Sequence, residues 1–124
     1  MTSRAGICLH CRFMAELLGT FEQMVLLAVS GLGEDAYGRA ILRAVQEGMR
    51  EVKSVAAGAV YATLDRVERD GYVSSRLEPG TAARGGRARR YYRLTAEGAA
   101  ALRETRRTLE RMWQGQREVL GGMG

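Results

Sequence analysis

From Thr20 to Asp70 the apolar residues of this chain recur at helical spacing, and in Tyr72–Leu77 and Arg90–Leu94 the period is that of strands. This change of period, from about 3.6 to 2, divides the chain into a helical front and a stranded hairpin. The first firm helix is expected from Thr20, where Thr20 and Gln23 spell a T-x-x-Q capping box. Phe21, Met24, Val25, Leu27, Ala28 and Val29 follow as a nearly all-round apolar stretch, which places this helix at the centre of a core. Gly31 and Gly33 end it. Asp35 is the expected cap of a second helix from about Ala36 to Gln46, with Tyr37, Ala40, Ile41, Ala44 and Val45 on one face and Gly48 closing it. A third helix is expected from Ala56 or Ala57 to Asp70. Val60, Leu64 and Val67 form its buried stripe, and Gly71 stops it. Gly58, Ala62, Asp65, Arg66 and Arg69 fall on its far side, with Tyr61 on the flank.

Tyr72–Leu77 and Arg90–Leu94 read as strands. The link from Glu78 to Arg89 holds the only proline, Pro79, with Gly80, Gly85 and Gly86, and reads as a long hairpin tip. Three helices followed by a two-stranded hairpin make a mainly α (α+β) domain, a winged helix-turn-helix, over residues 16–94. Thr95 is the expected N-cap of a last, long helix over 95–120 with sparse apolar positions. Leu102, Leu109 and Gln116 lie seven apart, as do Thr105, Met112 and Val119, a seam suited to another helix. The first three helices are matched among themselves, so a second copy of the chain is the expected partner. Leu102, Leu109, Met112, Val119 and Leu120 would form the homodimer interface. Residues 1–15 show no amphipathic period and read as a disordered extension, or as the product of a start upstream of Met14. Residues 121–124 read as a disordered tail.

Charge is concentrated. The chain has 19 basic and 14 acidic residues, and Lys53 is the only lysine. Arg84–Arg93 reads RGGRARRYYR, with five arginines and no carboxylate; without them the chain holds 14 basic and 14 acidic residues. The whole net charge of +5 therefore sits in ten consecutive positions. A local excess of this kind is an electrostatic footprint for a polyanion.

Other function classes lack material. The longest weakly polar run, Met24–Gly33, is half of the roughly 20 residues that a membrane-spanning helix needs. Arg4, His10 and Arg12 interrupt any secretory pattern, so a cytoplasmic protein without membrane contact is expected. His10 is the only histidine, and no HExxH, GxxxxGK[ST] or strand-associated GxGxxG occurs. No catalytic residue and no cofactor are assigned, and the chain is not expected to be an enzyme. Cys8-Leu9-His10-Cys11 supplies at most three of the four ligands of a structural zinc, so no metal site is assigned either.

The polyanion that this architecture suits is double-stranded DNA. The second helix of the motif enters the major groove, about 12 Å wide. On the third helix Gly58 and Ala62 permit close approach. Arg66 and Arg69 either reach bases and phosphates or pair with Asp65 and Glu68 on a solvated face. Tyr61 either offers its hydroxyl to a phosphate or joins the core. Arg84, Arg87, Arg89 and Arg90 of the wing are expected on the DNA backbone or in the minor groove. Trp113, beside Met112, is either dimer core or, across a shared cavity, a flat stacking surface for a planar effector.

Several stretches resemble, in order and spacing, a PadR-type transcriptional regulator. They are Leu18-Gly19-Thr20-Phe21-Glu22; Asp35-Ala36-Tyr37-Gly38 with Ile41; Gly58 to Glu68; Gly71-Tyr72-Val73; and Arg84 to Thr95. Together they span about residues 17 to 98. The resemblance implies a bacterial homodimer of N-terminal winged-helix domains joined through C-terminal helices, which represses nearby genes. Phenolic-acid detoxification and multidrug export are frequent targets in that family, and small planar effectors weaken DNA binding. The single C-terminal helix resembles the smaller subfamily, in which some relatives stack effectors on a tryptophan that Trp113 would match. One departure stands out. The family's Ser or Thr two residues before Gly58 is replaced by Ala56, and the nearest hydroxyl is Ser54. Either the helix starts two residues earlier or it lacks its cap, at a cost of about 1 kcal/mol.

The reading is a dimeric, sequence-specific DNA-binding repressor on an inverted repeat with half-sites about one helical turn apart. Its rivals are a winged-helix module that docks protein through the third helix, and a thiol or metal sensor using Cys8 and Cys11.

Overall fold

The computed structural model describes residues 17–121. The extension, with Cys8, His10 and Cys11, lies outside the described residues, as do residues 122–124 of the tail. Helix α1 spans Thr20–Leu32 with Gly19 as its N-cap. The expected Thr20–Gln23 box is therefore displaced by one residue. Glu22 closes the turn instead, its Oε1 accepting the Gly19 N–H at 3.0 Å, while the Gln23 amide donates to the Leu18 carbonyl. A carboxylate at this position also complements the positive end of the helix. The apolar belt is one-sided: Val25, Leu26 and Val29 are buried and Leu27 is exposed. The helix runs through Gly31 and stops at Gly33, whose φ of 60° is in the left-handed region.

A short 3-10 turn, Gly33–Asp35, leads to helix α2, Gly38–Gly48. Asp35 does not cap it, and Ala36 is not helical. The Ala36 carbonyl accepts the Tyr92 N–H at 2.8 Å from within a tight turn, and Tyr37, which is extended, bridges to Tyr91 of the second wing strand. An extended residue can flank a helix but not lie within it, so Tyr37 becomes the N-cap, its carbonyl accepting the Ile41 N–H at 2.9 Å, and the start moves to Gly38. Ile41 and Val45 bury α2 against α1. Helix α3, Ala57–Arg69, packs through Val60, Thr63, Leu64 and Val67. Each fully buried aliphatic side chain of this kind contributes roughly 1.5–3 kcal/mol.

Gly71, at φ 86°, turns the chain into the wing. Strands β1 (Val73–Glu78) and β2 (Arg89–Leu94) pair antiparallel from Val73↔Leu94 to Glu78↔Arg89. The first strand is shifted one residue from its expected bounds, and the second begins one residue earlier and ends at Leu94 as expected. Val73, Tyr92 and Leu94 face the helices and complete the core.

Helix α4, Ala96–Trp113, is a long C-terminal helix with its expected N-cap. The Thr95 hydroxyl accepts the Gly98 N–H and donates to the Gly71 carbonyl at 2.7 Å. Gly98 sits directly on the Tyr72 carbonyl, where a Cβ has no room. One further tie lies two turns on: the buried Thr105 hydroxyl accepts the Leu18 N–H at 3.0 Å. The unbroken helix expected to residue 120 is interrupted. Gln114 is extended, Gly115 has φ 81°, and only a short helix α5, Arg117–Leu120, follows.

Candidate nucleic-acid interface

Helix α3 has no side-chain cap at Ala56, so the missing hydroxyl seen in the sequence is missing in the fold as well. The approach to the helix is fixed from elsewhere. Val55 packs against the core, and the Gln46 amide donates to its carbonyl at 3.2 Å. The three-dimensional consequence is an exposed ridge of Gly58, Ala62, Asp65 and Arg69, opposite the buried stripe. Arg69 has no ion-pair partner among the described residues. Arg66 lies to one side of the ridge. Its Nε meets Glu22 Oε2 of α1 at 3.2 Å, a partner that neither reading of the sequence named. Tyr61 lies to the other side, 40% exposed, with its ring against Gly38 at the start of α2. Of the five residues expected on this surface, Gly58, Ala62 and Arg69 share the ridge and Arg66 and Tyr61 flank it.

Two arginines of α2 were not singled out in the sequence. Ile41 and Val45 turn inward, so Arg39 and Arg43 fall on the opposite side, exposed and without a carboxylate partner among the described residues. The amphipathic period of α2 carried that signal.

The wing holds its arginines individually. Arg84 curls back, donating to the carbonyls of Pro79 and Arg87 across a 3-10 turn, Ala82–Arg84. Arg89 lies over the Tyr37 ring at 3.8 Å from its centroid, and the Tyr37 ring meets Tyr91 at 5.6 Å, tilted by 59°, while Arg76 covers Tyr91 at 5.1 Å. Arg90 donates to the Ser75 hydroxyl at 3.1 Å, and Ser75 in turn donates to Glu68 of α3 at 2.7 Å. Arg87 is exposed, and its guanidinium has no partner among the described residues. Beneath this layer, burial first and Glu68 second push the Tyr92 phenol above the ordinary tyrosine range, with Arg90 opposing.

The expected interface on the last helix divides in two. Leu102 packs against the core of its own chain, because the first three turns of α4 are docked there. Leu109, Met112, Trp113, Val119 and Leu120 are all exposed, with Met112 at 69% and Trp113 at 47%. Leu109, Met112 and Trp113 stand on the last turns of α4, and Val119 and Leu120 follow beyond the break at Gln114 and Gly115. No helix among the described residues is long and apolar enough to cross a membrane, and no group of three or more His, Cys, Asp or Glu among them is placed to hold a metal ion.

The sequence signature described as "Transcriptional regulator PadR-like family" matches residues 26–104, from the middle of α1 into α4. The chain belongs to this family. A curated transcriptional regulator of Mycobacterium tuberculosis (strain ATCC 25618 / H37Rv) is 47% identical to it over 77 residues. That match is 62% of this PadR-like chain and 65% of the relative, so the chain spans just under two thirds of that protein's length. Among solved structures, a PadR-like transcriptional regulator from Bacillus cereus strain ATCC 14579 superposes with a TM-score of 0.64 at 22% identity, covering 84% of this chain and 94% of the other. A PadR family regulator from Eggerthella lenta DSM 2243 gives 0.60 at 25% identity, over 91% and 96%. These likenesses show a shared winged helix-turn-helix fold.

Proposed function

We propose that this PadR-like regulator binds double-stranded DNA in a sequence-specific way and represses transcription as a cytoplasmic homodimer on an inverted repeat. One observation carries the reading. Among the described residues, none of the five arginines in Arg84–Arg93 has a carboxylate partner, whereas Arg50, Arg66, Arg76, Arg106 and Arg107 all do. Full positive charge is thus kept on the wing, beside a helix whose exposed ridge is narrow at its leading end. Helix α3 would lie in the major groove, with Gly58 and Ala62 closest to the bases and Arg69 at the far end of the ridge. Arg84, Arg87, Arg89 and Arg90 would follow the phosphates, joined by Arg39 and Arg43 of α2.

The exposed apolar residues Leu109, Met112, Trp113, Val119 and Leu120 would close the dimer. A small planar or hydrophobic effector between the copies would stack on Trp113 and Met112 and weaken DNA binding. The chain is assigned no catalytic role.

A salt titration of binding to the DNA upstream of the chain's own gene tests the proposal. Binding should weaken steeply with salt and survive an excess of unrelated duplex. Sedimentation gives the assembly state, and the single Trp113 reports planar ligands by quenching. Binding that is indifferent to salt, or equal for unrelated duplex, would refute the reading.

A further inference from the structure

Gly58 has no internal reason to be glycine. It lies in the first turn of α3 with ordinary helical geometry, and a Cβ built there meets nothing within 4 Å. Gly38 differs, since its Cβ would press on the Tyr61 ring at 3.2 Å. Glycine is the weakest helix former after proline, so a bare first turn works against the fold that contains it. The next ridge position, Ala62, ends at its methyl. Neighbouring exposed positions Ala57 and Ala59 are equally short. Across the first two turns the ridge carries no hydrogen-bonding side chain. Thr63 is buried, and the Tyr61 ring leans on α2, its hydroxyl 3.9 Å from where a Gly38 Cβ would stand. Asp65 and Arg69 follow only in the later turns.

Base pairs in the major groove are told apart mainly by donors and acceptors, and thymine alone adds an apolar group, its C5 methyl. A ridge of Gly58 and Ala62 has nothing to offer a donor or an acceptor. It has a close approach and one methyl. We infer that the leading half of α3 selects thymine by packing against its C5 methyl at Gly58 and Ala62, while Asp65 and Arg69 serve the polar base edges. The inference rests on the DNA-binding reading above and names what that surface recognises.

The test uses the whole chain and duplexes selected with it from a random pool. Each thymine of an enriched duplex is then replaced singly by deoxyuridine, which lacks only the methyl. One or two thymines in each half-site should lose about fourfold in affinity on replacement, the worth of one buried methyl. In Ala62→Gly the same replacements should cost less than about twofold. Gly58→Ala, whose new methyl meets nothing in the protein, should bind the thymine duplex more weakly than wild type and recover on the uracil duplex. If every uracil duplex binds like its parent, or if Ala62→Gly and Gly58→Ala keep the wild-type thymine preference, the methyl assignment is overturned while DNA binding stands. If no duplex is enriched over the pool, the DNA-binding reading falls and takes this inference with it.

Discussion

Helix α3 carries two arginines and the decamer Arg84–Arg93 carries five, and Arg66 of α3 is held differently from all five. Arg66 is paired with a carboxylate, Glu22, which partly cancels its charge and ties α3 to the start of α1. Within Arg84–Arg93 the partners are neutral: carbonyls for Arg84, a phenol ring for Arg89 and a hydroxyl for Arg90. A neutral partner orients a guanidinium without cancelling it. The comparison therefore separates charge used to build the domain from charge held ready for something outside it.

The strongest way to break that distinction is Arg87→Ala/Arg89→Ala/Arg90→Ala. Every phosphate that the wing no longer neutralises should remove about 0.9 from the slope of log affinity against log salt, and affinity near 0.1 M salt should fall on the order of a hundredfold. An unchanged slope would mean that the wing is not on the DNA. Arg69→Ala and Arg66→Ala sharpen the contrast within α3. The first should cost about 1–3 kcal/mol of discrimination between operator and mismatched duplex. Arg66→Ala should leave discrimination intact and cost at most about 1 kcal/mol of stability, since its pair with Glu22 is partly exposed. Competition binding and thermal melting separate the two outcomes.

A smaller effect concerns the orientation of the wing. Tyr37→Leu removes the ring beneath Arg89 and beside Tyr91, and should lower stability by about 1 kcal/mol and shift the salt slope, whereas Tyr37→Phe should do neither. The smallest test is one of pH. The native pKa of Tyr92 is raised, so its contribution is complete below the unfolded value near 10 and is lost as pH rises through the native value. Melting of the wild type should fall more steeply above pH 10 than that of Tyr92→Phe.

The order of elements was legible because periodicity is local: Val60, Leu64 and Val67 declare an inward face whatever surrounds them. Details set by distant residues were not. Asp35 reads as a cap because the sequence does not show that β2 ties down the Ala36 carbonyl and bridges to Tyr37. Leu102 looked like part of an intermolecular seam because seven-residue spacing runs through it, and the docking of α4 by Thr95, Gly98 and Thr105 depends on residues 17–72. Gly115 is visible as a glycine, but the seven-residue spacing of Thr105, Met112 and Val119 runs straight across it. Of the interface residues, small size and positive charge were readable. The partners that hold Arg66, Arg89 and Arg90 were not, since they sit 15 to 52 positions away along the chain.

The docking of α4 has a mechanical consequence. Its first three turns are fastened at Thr95, Gly98 and Thr105, so the helix cannot pivot on the domain that carries α3. From Thr105 to Trp113 it projects a further eight residues, about 12 Å of rigid rod. In the proposed dimer that rod is a lever with its fulcrum outside the DNA-binding domain. A change of angle where two copies meet, at Trp113, would swing each α3 as a whole, and the spacing between the two would register it directly.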